Sequence, residues 1–131
     1  MEPTDIAFVI GRVLLGGYFV MAGFNHFKGA KMMAGYAQSK GVPVPMLAVL
    51  GSGALLFVGG LSILTGFYPY VGLALVALFL VGVTPKMHDF WNVEDPMQRM
   101  GEQVNFTKNA GLFGATLALY AVATPWVWGI A

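Results

Sequence analysis

His88 is the side chain of this sequence best suited to acid–base chemistry, and it stands in the run His88-Asp-Phe-Trp91. A histidine beside a carboxylate can pass protons near neutral pH, and an aromatic side chain can hold a flat ring. Together, His88, Asp89 and Trp91 resemble what a quinone headgroup needs: a donor to its oxygen, a proton route and a stacking wall. We therefore predict His88 and Asp89 as catalytic residues and Trp91 as a ligand-binding residue.

The same run also has a structural interpretation. Aromatic residues collect at membrane–water interfaces, where they anchor helix ends. His88 and Trp91 could serve only that purpose, and the sequence leaves both interpretations open.

The composition indicates which elements must position these residues. The chain is 57% hydrophobic and 10% charged, with a mean hydropathy of +0.71, whereas a soluble domain has roughly a quarter charged residues. This deficit indicates a membrane protein in contact with the lipid bilayer. The net charge of +1 argues against nucleic-acid binding, and the lack of cysteine excludes disulfides, thiolate ligands and a dithiol relay.

Long uncharged stretches predict the spans. Residues 41–85 contain no Asp, Glu, Lys, Arg or His, and these 45 residues suffice for two crossings of about 20 residues each. Further apolar spans flank this window. We predict one all-α domain over residues 1–131, an integral membrane four-helix bundle with helices at about 5–27, 46–65, 69–87 and 105–128. Met32, Met33 and Tyr36 share one side of a short interfacial helix at about 29–40, between the first two spans.

The charges around these spans predict an orientation. Glu2 and Asp5 precede a long apolar span, which is unlike a cleavable signal peptide, so the first helix is predicted to be a permanent anchor. The first and third connections hold all the Lys and Arg residues except Arg12, and cytoplasmic loops collect Lys and Arg whatever their acidic content. We expect a multi-pass protein of the inner membrane with both termini outside.

Four spans bring one set of polar residues to the same membrane face, because the end of the first helix, the end of the third and the start of the fourth all lie there. Such residues at the hydrocarbon edge are costly unless they pair or bind a ligand. Besides His88, Asp89 and Trp91, this face holds Lys86 and five predicted ligand-binding residues: His26, Lys28, Asn105, Lys108 and Asn109. The stretch of Glu94, Asp95, Arg99 and Glu102 is predicted to be a solvated loop or short surface helix.

Other cofactors fit less well. His26 and His88 could ligate haem, but both lie at the membrane edge and no supporting motif appears. Neither histidine belongs to a two-histidine motif with metal-ligand spacing. We predict a quinone, no haem and no metal.

Two features could serve packing alone. Arg12 lies inside the first helix, so it must either snorkel toward Asp5 and lipid phosphate or face the bundle interior, where it would brace the opposite end. The last helix carries a small residue at every fourth position, which suits close contact within the bundle or with another subunit. We expect a homo-oligomer or a larger membrane complex. The small residues are Ala110, Gly114, Ala118 and Val122.

Several motifs resemble the DoxX family. They are Arg12-Val-Leu-Leu-Gly16, Gly23-Phe-Asn-His-Phe-Lys28, the Gly-Val-Pro-Val-Pro after the interfacial helix, His88-Asp-Phe-Trp91 and Asn105-Phe-Thr-Lys-Asn109. The resemblance covers essentially the whole chain and implies a small four-helix inner-membrane protein linked to quinone-coupled oxidation or to membrane oxidoreductase complexes. The alternative is a non-catalytic subunit that docks to a larger respiratory or redox complex. A transporter is disfavoured because no ionisable residue lies at the midplane.

Overall fold

The computed structural model describes residues 2–130, which form five α-helices and one 3₁₀ turn. The helices are α1 (Pro3–Lys28), α2 (Ala30–Ser39), α3 (Pro45–Thr65), α4 (Pro69–Met87) and α5 (Pro96–Leu119), and the turn is Phe90–Asn92. Three segments are long and apolar enough to cross a membrane: Pro3–Lys28, Pro45–Thr65 and Pro69–Asn92. The prediction of an all-helical integral membrane bundle is confirmed, and α2 lies between the first two spans as expected.

The last helix begins and ends about nine residues earlier than the predicted 105–128. Asp95 caps it by accepting a hydrogen bond from the Gln98 backbone N–H at 2.9 Å, and Pro96 occupies its first turn. These are strong start signals for a helix, because the cap satisfies an orphan donor and proline presets the backbone. Hence Arg99 and Glu102, which were expected in a separate surface stretch, belong to the first turns of α5.

Residues beyond Leu119 are not part of α5, although the prediction extended the helix to residue 128. In this segment Trp126 is 3% exposed and belongs to the hydrophobic core. Phe8 meets its ring edge to face, with centroids 5.1 Å apart. The segment therefore folds back over the end of the bundle, where the Ile130 N–H donates to the Thr65 carbonyl at 2.8 Å.

Glycines allow α1 and α3 to pack backbone against backbone. A Cβ atom added at Gly23 would lie 2.7 Å from the Phe57 backbone nitrogen, and one at Gly60 would lie 2.6 Å from that of Val20. Gly16 is equally close to Leu64. Gly16 and Gly23 of α1 therefore serve packing, since in lipid such close approach is a main source of helix association.

The helices pack in the order of the chain, and α5 runs back alongside α4. The close neighbours are α1 with α3, α3 with α4, and α4 with α5, while α2 lies on α3. At the end away from α2, the Tyr70 hydroxyl donates to the Val122 carbonyl at 2.8 Å, and the Tyr120 hydroxyl donates to the Tyr70 carbonyl at 3.0 Å. The two ends of the bundle therefore differ: one carries α2 and the other carries the C-terminal segment.

Arg12 holds that C-terminal segment. Its side chain is 4% exposed, and its guanidinium donates to the Val127 carbonyl at 2.7 Å and to the Trp128 carbonyl at 3.1 Å. The rings of Phe8 and Trp126 lie 5.7 and 6.0 Å from the guanidinium carbon. Snorkelling toward Asp5 or lipid phosphate is therefore wrong, because the cation finds backbone acceptors inside the bundle.

The small-residue face of α5 does not pack within the bundle. Ala110, Gly114 and Ala118 are exposed, and a Cβ atom at Gly114 would meet no atom within 4 Å. Of the two contacts expected for this face, packing within the bundle is wrong for these three residues, whereas Val122, which lies beyond α5, packs against the core. Leu112 and Phe113, on a different side of α5, pack against the core instead.

Candidate functional site

A cavity of about 620 Å³ lies at the α2 end of the bundle, and all five helices contribute to its wall. Most of the lining is apolar, and most of the polar side chains come from the ends of α1 and α4 and the middle of α5. Helix α2 contributes Met32, Met33 and Tyr36 to the same wall. The polar lining side chains are Tyr18, His26, Tyr36, Ser52, Lys86, His88, Asn105, Lys108 and Asn109.

The structure brings five of the eight predicted site residues to this cavity and leaves three outside its lining. Lys28 ends α1 and lies outside, and so do Asp89 and Trp91. The five that line it are His26, His88, Asn105, Lys108 and Asn109.

His88 is paired with Glu102. Its Nδ1 lies 2.7 Å from Glu102 Oε2, and the Tyr36 hydroxyl donates to the other carboxylate oxygen, Oε1, at 2.9 Å. The carboxylate paired with His88 is therefore that of Glu102 and not that of Asp89. Because α5 begins at Pro96, its second turn lies beside the end of α4. This position brings Glu102 to the imidazole of His88, whereas Asp89, the next residue after His88 in the sequence, does not meet it.

Asp89 instead forms an ion pair with Lys40 at the end of α2. The Lys40 ammonium donates to Asp89 Oδ1 at 2.6 Å, and the Asn92 amide donates to Oδ2 at 3.2 Å. The hydrogen bond to Asp89 raises the pKa of Lys40, against the lowering effect of burial. The pair fastens α2 to the loop after α4.

Tyr36 makes the second attachment of α2. Burial and then the hydrogen bond and negative charge of Glu102 raise the pKa of the Tyr36 hydroxyl. The hydroxyl therefore keeps its proton at neutral pH and acts as a donor to Glu102. Lys40 lies 5.7 Å from the centre of the Tyr36 ring, which joins the two attachments.

His26 is held by its own helix. Its Nδ1 lies 2.8 Å from the Ala22 carbonyl oxygen, and its ring meets Phe79 edge to face with centroids 5.7 Å apart. Both His26 and Phe79 line the cavity. This aromatic contact gives the ring a fixed orientation between α1 and α4.

Trp91 does not form the expected stacking wall. Its side chain is 49% exposed and packs against Phe90 and Phe106, with ring centroids 5.3 and 5.7 Å away. The indole therefore belongs to a small aromatic cluster on the 3₁₀ turn and α5. The aromatic side chains that do line the cavity are Tyr18, Phe19, Tyr36 and Phe79.

The other polar side chains of the cavity lining differ in whether they already have a hydrogen-bond or ion-pair partner. The Asn109 amide donates to Thr84 Oγ1 at 3.1 Å, and both side chains are buried. Within residues 2–130, Lys86 and Lys108 have no carboxylate within 4.0 Å. Their ammonium groups thus remain available to a hydrogen-bond acceptor or an anion in the cavity. No three His, Asp or Glu side chains of these residues are grouped so that they could hold a metal ion.

Glu102 and Tyr36 are the residues that sequence reasoning missed. The signal for Glu102 was Asp95-Pro96, a helix start that places residue 102 on the second turn of a helix entering the polar face. Tyr36 was recognised as part of the interfacial helix, but nothing in its sequence context points to a carboxylate 66 residues away.

Comparisons with known proteins show a family and one relative. A family model described as DoxX matches residues 7–89, a range that holds most of α1 and all of α2 to α4. Inner membrane protein YphA of Escherichia coli (strain K12) is 26% identical over 121 residues, which cover 92% of this chain and 84% of that protein. No solved structure matches the chain.

Proposed function

This chain belongs to the DoxX family, and we propose that it is a membrane subunit of a quinone-linked oxidoreductase system of the inner membrane. Its ligand is a quinone or a similar lipophilic ring, held in the cavity at the cytoplasmic end of the bundle. The relative from E. coli is by its name an inner-membrane protein. The Lys and Arg residues in the first and third connections of this chain favour the cytoplasmic side for the α2 end.

The observation that carries the proposal is the cavity itself. Its volume of about 620 Å³ falls within the range of small-molecule sites, which are mostly apolar with a few convergent polar groups. A lipophilic ring can reach it from the bilayer because the wall is largely apolar, whereas a strongly hydrated solute gains little there. Its side chains of His26, Lys86 and His88 lie at the ends of α1 and α4.

The polar groups supply hydrogen bonds and a place for a proton. The imidazole of His88, paired with Glu102, can exchange a proton with a ring oxygen, and Asn105 and Lys108 can donate to one. The carboxylate of Glu102 takes the role that the sequence assigned to Asp89. A quinone would supply the redox chemistry when bound, while these side chains bind and orient its ring and hold protons at its oxygens.

The test is extractable quinone per chain after purification in mild detergent. The native protein should retain about one quinone per chain, as a single site requires, and His88→Ala should lose most of it. Trp91→Phe is the matched control, since Trp91 lies outside the cavity and should leave the quinone content unchanged. Quinone absent from the native chain, both as purified and after addition, would contradict the proposal.

An exposed face of α5 favours a second candidate, a non-catalytic subunit that docks to a larger membrane complex. Gly111 and Gly114 are exposed, and a Cβ atom at either would meet nothing within 4 Å. A small-residue face turned away from its own bundle suits close contact with a helix of another subunit.

This candidate is tested by the size of the complex in mild detergent. Gly114→Leu should detach the chain from its partners if the face docks, whereas Gly51→Leu, at an exposed and equally open position of α3, should not. A native chain that migrates alone under conditions that preserve membrane complexes would argue against docking.

A further inference from the structure

One side of the cavity at the α2 end, between α1 and α5, is not closed by helix packing. Within residues 2–130, close packing joins α1 to α3, α3 to α4 and α4 to α5, whereas α1 and α5 are not close neighbours. At the other end of the bundle the C-terminal segment crosses from α5 to α1, where Trp126 packs against Phe8 and Arg12 donates to residues 127 and 128. At the α2 end both helices line the cavity instead. In a chain that crosses the bilayer, this open side faces lipid.

The lining that α1 and α5 contribute is largely apolar toward the centre of the bundle. It consists there of Phe19, Ala22 and Leu112, beside the ring of Tyr18. Tyr18 is 43% exposed, so it lies at the rim, whereas Phe19 is 1% exposed and forms the base of the wall. A hydrocarbon chain can lie along these side chains without burying an unpaired polar group. The open side therefore suits an acyl chain that enters from the bilayer.

The polar end of the same cavity has an excess of positive charge. Lys86 and Lys108 line it, and among residues 2–130 no Asp or Glu side chain does. A Cβ atom added at Gly41, in the loop between α2 and α3, would lie 3.7 Å from the Lys86 ammonium, which is therefore at the end of the bundle. Glu102 lies outside the lining and is already paired with His88. The two ammonium groups beside an apolar cavity thus favour a ligand with an anionic head and a hydrocarbon tail.

We propose that this cavity binds an acidic phospholipid of the bilayer, with its phosphate between Lys86 and Lys108 and one acyl chain between α1 and α5. The cavity takes the head group and part of that chain, while the rest of the lipid stays in the bilayer. Basic pockets between membrane helices on the cytoplasmic side are typical sites for acidic head groups. The proposal goes beyond the proposed function, because it requires neither a ring nor a redox step.

The head-group site is tested by native mass spectrometry of protein released from nanodiscs that contain phosphatidylglycerol and phosphatidylcholine in equal amounts. The native chain should retain phosphatidylglycerol about tenfold over phosphatidylcholine, because two lysines favour the acidic head group. The double variant Lys86→Gln, Lys108→Gln should lose this preference. Lys28→Gln, Lys31→Gln is the matched control: it removes the same charge from the same end of the bundle, but outside the cavity lining, and should keep the preference.

The acyl-chain site is tested at Gly82, a cavity-lining residue of α4. A Cβ atom there would meet nothing within 4 Å, so Gly82→Leu fills part of the cavity without a clash at its Cβ. This variant should lose most of the retained phosphatidylglycerol. Gly51→Leu, at an equally open position of α3 outside the lining, should retain it.

Three results would overturn the proposal: equal retention of the two lipids by the native chain, equal loss of the preference in both lysine pairs, or unchanged retention in Gly82→Leu. His88→Ala separates the lipid site from the ring site, since it should keep phosphatidylglycerol while it loses quinone. Phosphatidylglycerol retained selectively by a chain that binds no quinone would support the lipid site and refute the ring-binding function. Quinone retained by a chain that does not distinguish the two lipids would overturn the lipid site alone.

Discussion

Replacing Arg12 by Met should release residues 127–128 from the bundle and lower its stability. The guanidinium makes two hydrogen bonds, to Val127 at 2.7 Å and to Trp128 at 3.1 Å, and it is 4% exposed. A hydrogen bond to a charged group is worth about 1.5–3 kcal/mol, so the two together contribute about 3–6 kcal/mol. Met removes the cost of burying the charge, part of which is visible in Arg12 Nε, a buried atom without a partner within residues 2–130. We therefore expect a net loss of about 2–4 kcal/mol in the free energy of unfolding.

The assay is thermal unfolding in one detergent, together with limited proteolysis of the C-terminal segment. Arg12→Lys should restore part of the stability, since an ammonium can donate to one or both carbonyls but lacks the planar fork. Arg99→Met, at an exposed position of α5, is the matched control and should change little. The cavity lies at the other end of the bundle, so ligand binding to the folded protein should persist. An Arg12→Met protein as stable as the native chain, with an equally protected C-terminal segment, would refute the reasoning.

Three further predictions concern packing, pH and the site. Gly23→Ala should destabilise the bundle by about 1–3 kcal/mol, because its Cβ would lie 2.7 Å from a backbone nitrogen of α3, whereas Gly17→Ala, with open space around it, should be tolerated in the same unfolding assay. The pKa of Lys40 is raised in the folded state, so its pairing with Asp89 stabilises fully below the unfolded lysine pKa of about 10.4 and is lost as pH rises through the raised value. Hydrogen exchange or proteolysis of α2 should therefore increase in that alkaline range, and Lys40→Met should show the increase already at neutral pH. Trp91→Phe should leave ring binding unchanged, and a loss of binding measured by titration would return the indole to the site.

The membrane class and most of the architecture follow from local properties of the sequence. An uncharged stretch at residues 41–85 can be stable only in hydrocarbon or deep in a core, and its length sets two spans whichever way they pack. The bounds of α3 and α4 were therefore predicted to within a residue. Counting crossings also assigns His26, His88 and Asn105 to one end of the bundle, because that argument needs no knowledge of helix contacts.

The tertiary structure alone decided which of these side chains meet. Glu102, rather than Asp89, reaches His88 because the start of α5 at Pro96 sets the rotation and height of that helix. Arg12 finds its acceptors 115 and 116 residues further along the chain. Hydropathy and turn signals act over a few residues, so they determine which residues form helices. A hydrogen bond instead requires its two atoms to be placed within a few tenths of an ångström, and that placement depends on the rotation of each helix about its axis. That rotation results from the packing of all the helices together, above all from the glycine contacts that bring α1 against α3, and no single stretch of the sequence contains it.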